Sequence, residues 1–387
     1  MSADRWTIST QLDVSYEIRE TPSLLDLDNP TLADVLTSDS QGGTKLVIVD
    51  RAVARLYGAR LERYLKEYNV PHRLLELLGD EGRKTMGQVL QVISALNEVG
   101  TLRASDAPVA IGGGVVLDVV GLAASLYRRG IPHTRVPTTL LSLVDVSVAA
   151  KTGVNFQGFR NRIGSYSPPP LTLVDPAFLS TVSTRQISNG GGEIFKMGLI
   201  KDPALFALLE NGGPALVANK FQSPEGAEAI RRAIAGMIDE LRNNLWEKDL
   251  RRAVDYGHSF SPLVEMRHVQ QLLHGGAVAL DCLLSAFIAH GRGYLNHHEV
   301  DRIAATATGL GLPTWHPGFA DIDLLMQALA DTMRHRNGNQ NLPVVESIGH
   351  ATFLNDVSAE EIADAAHRMK RLGEHQESEL VRRGTNR

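Results

Sequence analysis

The chain has 387 residues, of which 43% are hydrophobic and 21% charged, and a formal net charge of −5. It is long enough for two domains and has the ordinary composition of a soluble globular protein, with no basic excess to suggest nucleic acid as a partner. No stretch approaches the ~18 uninterrupted apolar residues of a membrane helix, the N-terminus lacks the basic and apolar regions of a signal peptide, and the single Cys282 forms no internal disulfide, so a cytoplasmic location is expected.

In chain order, TKLVIVD (44–50) is a β-branched run that reads as a buried parallel strand, and the following ARLYGARLERYLKEYN has helical spacing. HRLLELL (72–78) reads as a second strand and MGQVLQVISALNEVG as a second helix. APVAIGGG is a third strand running into glycines, and VVLDVVGLAASLYRRG is a third helix. Strands alternating with helices predict an α/β domain with a parallel, Rossmann-like sheet. After SPPPLTLVDPAFLSTVS the pattern changes. From Gln186 onward nearly everything has helical periodicity, over 192–212, 226–245, 272–292, 298–310, 321–334 and 358–384. The expected division is an α/β domain at 1–180 and an α-helical domain at 181–387. The tail HQESELVRRGTNR reads as a solvated, fraying helix.

Three motifs carry chemistry. In AIGGGVVLDVVG a strand ends in glycines and a helix follows. Gly113, Gly114 and Val115 bring backbone N–H groups and a helix N-terminus to a point where a phosphate fits, and Asp118 lies on the helix's first turn. The pattern is not the GxGxxG of a dinucleotide-binding unit, and a plain tight turn fits it equally. The stretch 136–166 gathers Thr138, Thr139, Asp145, Lys151, Asn155, Arg160, Asn161 and Arg162 within 25 residues or so. Cations with a carboxylate and amides suit a phosphorylated polyol; an exposed polar loop is the alternative. In ISNGGGEIFKMGLIKD, Glu193 and Lys196 share a helix face. Glu193 could be half of an ordinary ion pair, or it could join His258 and His274 of VDYGHSFSPLVEMRHVQQLLHGGAVALD. Glu, His and His form a common catalytic zinc set with one open position.

With these motifs in hand the chain resembles the sugar phosphate cyclases, the family that includes dehydroquinate synthase. The resemblance spans roughly 44–357 and rests on GGGVVLDVVG, YRRG, VPTTLLSLVD, AAKTGVNF, NRIG, GGEIFKMG, DYGHSFSP and LLHGGAVA in the family's order. It implies an α/β NAD-binding domain and a helical metal- and substrate-binding domain. It implies Glu193, His258 and His274 as ligands of Zn2+, with Co2+ as a substitute. It implies an NAD site at Asp50, Glu81, Lys84, Gly113, Gly114, Val115, Asp118, Thr138 and Thr139, with Asp145 and Lys151. Substrate contacts implied are Asp145, Lys151, Asn161, Lys196 and Arg251, with Arg160 also at the phosphate. Arg129 matches an arginine that acts across a homodimer interface.

Departures from dehydroquinate synthase refine this. Where those enzymes read NxGHTFGHA, this chain has Asp255 and Pro262. RHRNGNQNLP (334–343) replaces a lysine-bearing segment and offers His335 as a hydroxyl-reading group. DYGHSFSP, KTGVNF, LPTWHP and FLND resemble the C7-cyclitol branch, the 2-epi-5-epi-valiolone synthases of secondary metabolism and antibiotic biosynthesis. The resemblance thus implies sedoheptulose 7-phosphate as substrate, with cyclisation and phosphate loss through transient NAD-dependent oxidation, β-elimination, reduction and aldol addition. Asp255, on one helical face with His258, is expected to repel a carboxylated heptulosonate and accept from a neutral hydroxymethyl end; simple pairing with Arg251 is the bland alternative. Gly276 stands where the family has an acid, which removes a partner for a ligand histidine. Gly191 and Gly192 are expected to add flexibility before Glu193. The alternatives within the family are 2-epi-valiolone synthase and dehydroquinate synthase; outside it, a glycerol dehydrogenase-like metal-dependent alcohol dehydrogenase.

Overall fold

The computed structural model describes residues 5–38 and 43–384, with side chains to Glu374. A six-stranded sheet has the order β1-β8-β5-β4-β2-β3. Its strands are β1 (Glu17–Glu20), β2 (Lys45–Asp50), β3 (His72–Leu77), β4 (Val109–Gly112), β5 (Thr134–Pro137) and β8 (Leu171–Val174), all paired in parallel. Between them run α1 (Thr31–Thr37), α2 (Arg51–Glu67), α3 (Met86–Glu98) and α4 (Gly114–Leu126).

Period-two side-chain alternation explains why both sheet faces are covered. On β2, Leu46 and Ile48 join one buried cluster with Val89 and Val92 of α3 and Val116 and Val120 of α4. Val47 and Val49 join another with Leu32 of α1 and Leu61 and Leu65 of α2. The parallel strands bring Asp50, Gly112 and Pro137 to the same edge, the edge where open α/β sheets bind ligands. The strands and helices expected in this half are all present. Not anticipated from the sequence are α1, β1, β5 and β8, and the two-stranded hairpin of β6 (Lys151–Phe156) and β7 (Phe159–Tyr166), which carries Lys151, Arg160 and Asn161.

The helical body contains α5 (Thr184–Ile200), α6 (Pro203–Ala218), α7 (Pro224–Arg242), α8 (Ser261–Arg267), α9 (His274–Gly291), α10 (His297–Gly309), α11 (Ile322–His335) and α12 (Ala359–Gly384). At its centre α9 is buried from His274 through Ala289. Two expectations are corrected. The helix expected over 192–212 is two helices, because Asp202 accepts from the N–H groups of Ala204 and Leu205 and Pro203 starts α6. The half is also not all helix: β9 (Leu342–Ser347) and β10 (His350–Leu354) form an antiparallel hairpin, turned at Gly349, whose φ is +92°. Of the expected solvated tail, residues 385–387 lie outside the described residues, as do the side chains after Glu374. No described helix is long and apolar enough to cross a membrane.

Candidate active site

A cleft of about 860 Å³ lies along the edge where β2, β4 and β5 end. It is lined by Asp50, Glu81, Lys84, Gly113, Gly114, Val115, Asp118, Thr138, Thr139, Asp145, Arg160 and Asn161 from the α/β side, and by Gln186, Asn189, Glu265 and His274 from the helical side. Gly113 precedes α4 in extended conformation, so that the helix N-terminus faces the cleft. Asp50 caps α2 by accepting from Ala52 N–H. It packs so closely on Gly112 that an added Cβ there lies 3.0 Å from its own, which explains the glycine. Lys84 Nζ sits 2.5 Å from Asp118 and 2.6 Å from Asn161 Oδ1, tying the hairpin to α4. Asn155 Nδ2 donates to Glu81 over 2.8 Å. Asp145 is carried on a five-residue π-helix, Ser142–Val146, a distortion that often marks functional sites.

Behind this cleft Glu193, His258 and His274 meet, with one ligand atom from each within 4.8 Å of the others. Glu193 Oε1 lies 3.4 Å from His258 Nε2 and 3.1 Å from His274 Nε2. The far nitrogens are also engaged: His258 Nδ1 lies 3.1 Å from the Tyr256 carbonyl, and His274 Nδ1 lies 3.0 Å from Glu265. The Tyr256 carbonyl favours a proton on Nδ1 of His258, while at Nδ1 of His274 the acceptor Glu265 competes with the donor Arg160, 2.5 Å away; both Nε2 atoms face Glu193, as metal-binding histidines require. Burial raises the Glu193 carboxyl, but the Lys196 cation, 2.5 Å away, and the hydrogen bonds from His258 and His274 outweigh it and hold the group well below the usual carboxylate range. Burial and Arg160 lower His274, yet Glu265 and Glu193 prevail and lift it to about 9. A site that gathers a proton onto His274 between two carboxylates fits a divalent cation in its place.

The ligand segments are fixed locally. Asp281 on α9 is fully buried and accepts from the N–H groups of Phe260 and Ser261, capping α8 next to His258. Tyr256 donates to the Cys282 carbonyl over 2.7 Å. α5 and α9 cross through glycines: a Cβ on Gly192 would lie 2.7 Å from Gly275 Cα, and one on Gly275 would overlap the Asn189 carbonyl. Gly192 is therefore a close-packing residue and not the source of flexibility expected of it. Nor does Gly276 leave His274 without an outer partner, since Glu265 fills that part.

Other expected residues lie as follows. Arg160 Nη1 reaches Glu265 at 2.7 Å and His274 Nδ1 at 2.5 Å, while Nε faces Glu81 at 3.7 Å. Lys151 is half exposed and pairs with Glu247 at 2.8 Å. Asp255 and His258 do not share a helical face, because Asp255 ends a short 3-10 helix and His258 follows in a turn. The Asp255 carboxylate pairs with Arg252 at 3.1 Å and Arg336 at 3.5 Å, not with Arg251. Arg251 is exposed and lies over the Phe353 ring. His335 is exposed at the end of α11, and its buried neighbour Arg336 is the group that reaches Asp255. Arg129 is exposed on a left-handed turn with φ of +66°. Sequence reasoning missed Glu265, Arg252 and Arg336. Two were adjacent to chosen residues, and Glu265 sits seven positions after His258.

An α/β body with a glycine turn over a polar cleft, facing a helical body with a Glu–His–His cluster, defines the architecture of dehydroquinate synthase-like proteins. Residues 74–189 match the family described as 3-dehydroquinate synthase N-terminal and residues 190–336 its C-terminal counterpart; the chain belongs to this family. Among its relatives is the 2-epi-5-epi-valiolone synthase of Streptomyces hygroscopicus subsp. jinggangensis, 45% identical over 93% of this chain and 88% of the relative. That of an Actinoplanes species is 44% identical, over 96% and 94%. A solved structure of the Streptomyces hygroscopicus enzyme, ValA, with NAD+ and Zn2+ bound superposes with a TM-score of 0.91, covering 95% of this chain and 99% of that one at 44% identity.

Proposed function

We propose that this chain is a 2-epi-5-epi-valiolone synthase. It cyclises sedoheptulose 7-phosphate to a C7 cyclitol with loss of phosphate, through transient oxidation, β-elimination, reduction and intramolecular aldol addition. The observation that carries this reading is that the glycine turn faces His274 across one cleft, with Glu193 and His258 clustered behind it and Arg160 between; the similarity to valiolone synthases over nearly the whole chain supports it.

Glu193, His258 and His274 hold Zn2+, and Asp50, Lys84, Asp118, Thr138, Thr139 and the glycines hold NAD+. When bound, the metal supplies a Lewis acid and the dinucleotide a hydride acceptor that returns what it takes. Lys196 keeps Glu193 ionised. Lys151 and Asn161, on the hairpin, stand on the phosphate side, and Arg129 of a second copy completes it in a homodimer. Asp255 accepts from a substrate hydroxyl. The cleft walls exclude water from the unsaturated intermediate. The division into an α/β domain to residue 180 and a helical domain beyond it, and a cytoplasmic location, belong to the same proposal.

The test incubates the protein with sedoheptulose 7-phosphate, Zn2+ and NAD+ far below substrate. Complete conversion to one cyclitol by NMR, with equimolar phosphate and no lasting NADH, is expected. Stoichiometric NADH from glycerol points instead to an alcohol dehydrogenase, and full activity in a strictly monomeric sample removes the role of Arg129.

A further inference from the structure

Residues 5–16 read Arg-Trp-Thr-Ile-Ser-Thr-Gln-Leu-Asp-Val-Ser-Tyr, and β1 continues from them. Apolar side chains occupy positions 6, 8, 12, 14, 16 and 18, the period-two signature of a strand with one face covered. Nothing described covers the first part of that face: Trp6, Ile8 and Leu12 are 86%, 97% and 79% exposed. The second part is already seated, with Val14, Tyr16 and Ile18 half-buried and the Tyr16 hydroxyl donating to the Val148 carbonyl over 2.8 Å. Among the described residues, no backbone hydrogen bond reaches 5–13. The segment leads into β1, whose outer side is a free edge of the sheet. An exposed segment with strand-like apolar alternation, running into a free edge, is a template for another strand.

We propose that residues 5–13 of two copies of this chain pair as antiparallel strands about a two-fold axis through Ser9. The segment is self-complementary in that register. The uncovered apolar run extends from Trp6 to Leu12, so its midpoint is Ser9. Rotation about that point sets Trp6 against Leu12, Ile8 against Thr10 and Thr7 against Gln11. It also sets Arg5 against Asp13, the only two charged residues of 5–13, with opposite signs. Cross-strand pairs of opposite charge and of apolar side chains are the ones that stabilise antiparallel ladders, and a two-fold contact requires each residue to meet its counterpart in both directions. The inference rests on the homodimer put forward above, not on the catalytic reading.

The experiment uses the full chain with cysteine as a reporter, because the native Cys282 is fully buried. Ser9→Cys should give a covalent dimer on mild oxidation. Thr7→Cys alone should not, since its two copies lie about 13 Å apart at 3.3–3.4 Å per residue, whereas Thr7→Cys mixed with Gln11→Cys should. Trp6→Glu/Ile8→Glu should raise the dimer dissociation constant at least tenfold, read by sedimentation or light scattering. Cross-linking of Thr10→Cys in place of Ser9→Cys overturns the register. A dimer that survives Trp6→Glu/Ile8→Glu, with no link at Ser9, overturns the strand pairing but leaves the dimer standing. A wild-type monomer at micromolar concentration overturns both.

Discussion

Asp255 shows how neighbours change the meaning of a single carboxylate. Burial raises its pKa, but Arg252, Arg336 and Lys151 outweigh that and keep it ionised. It can therefore accept hydrogen bonds and cannot donate one. The two guanidinium groups beside it offset its charge, so under the proposed function simple repulsion of a carboxylated substrate, as expected from the sequence, would be only part of any discrimination. The rest is geometric: a hydroxyl satisfies an acceptor and a carboxylate does not. Asp255→Asn should lower kcat/KM for sedoheptulose 7-phosphate roughly tenfold or more, because a charge-assisted hydrogen bond contributes about 1.5–3 kcal/mol. The preference over the carboxylated heptulosonate should shrink with it; an unchanged ratio would leave Asp255 a purely structural ion-pair partner. The metal cluster was legible only through the family resemblance, because Glu193 beside Lys196 reads equally as half of an ordinary ion pair. Arg252 and Arg336 were not, since nothing in local spacing says which of two adjacent residues turns inward.

At the level of elements, the metal site depends on two helices lying closer than side chains permit. α5 brings Glu193 and α9 brings His274, and the crossing beside them is glycine on both sides. Gly192→Ala forces a methyl group into the Gly275 backbone, which cannot yield as a flexible side chain would. A loss of about 1–3 kcal/mol is expected, together with weaker retention of Zn2+ through dialysis, read by denaturant unfolding and elemental analysis. A variant of unchanged stability that keeps its metal would show the crossing to be loose. β2, β3 and β4 and most helices were legible from continuous apolar runs and a period of 3.6, whereas β1, β5 and β8 are only four residues each and too short to show a pattern. The α6 boundary hid behind continuous apolar spacing. The β9–β10 hairpin, LPVVESIGHATFL, is short and set among helices, and only its partner strand distinguishes it from a loop. Glycines are ambiguous in another way: the same GGG reads as flexibility or as contact until the opposing helix is known.

The whole molecule carries an acid sensitivity that is remote from the cleft. His133 is 1% exposed, both ring nitrogens lack a partner, and burial with the neighbouring Arg135 holds its pKa well below the ordinary value. The unfolded chain takes up a proton there below about pH 6.5, and the folded chain does not. The stability is thus complete above pH 6.5 and falls as pH drops towards the folded pKa, with a slope of at most about 1.4 kcal/mol per pH unit. His316, lowered by burial and His268, acts in the same direction. Urea midpoints measured from pH 7 to pH 5 should fall in the wild type and fall less in His133→Leu; parallel curves would assign the slope to other groups.

Arg160 touches Glu81 on one side of the cleft and Glu265 and His274 on the other. Under the proposed function one cation would face both the dinucleotide and the metal, and thermodynamic reciprocity would follow. Whatever factor the metal applies to dinucleotide affinity, the dinucleotide must apply to metal affinity. Couplings between two sites are typically about 5–150-fold, and calorimetry with either partner added first should return the same factor. Arg160→Lys, which keeps the charge but loses the fork that spans both walls, should bring the factor towards unity while each partner still binds alone. The order of loading would then leave the final occupancy unchanged, since the two affinities rise or fall by the same factor.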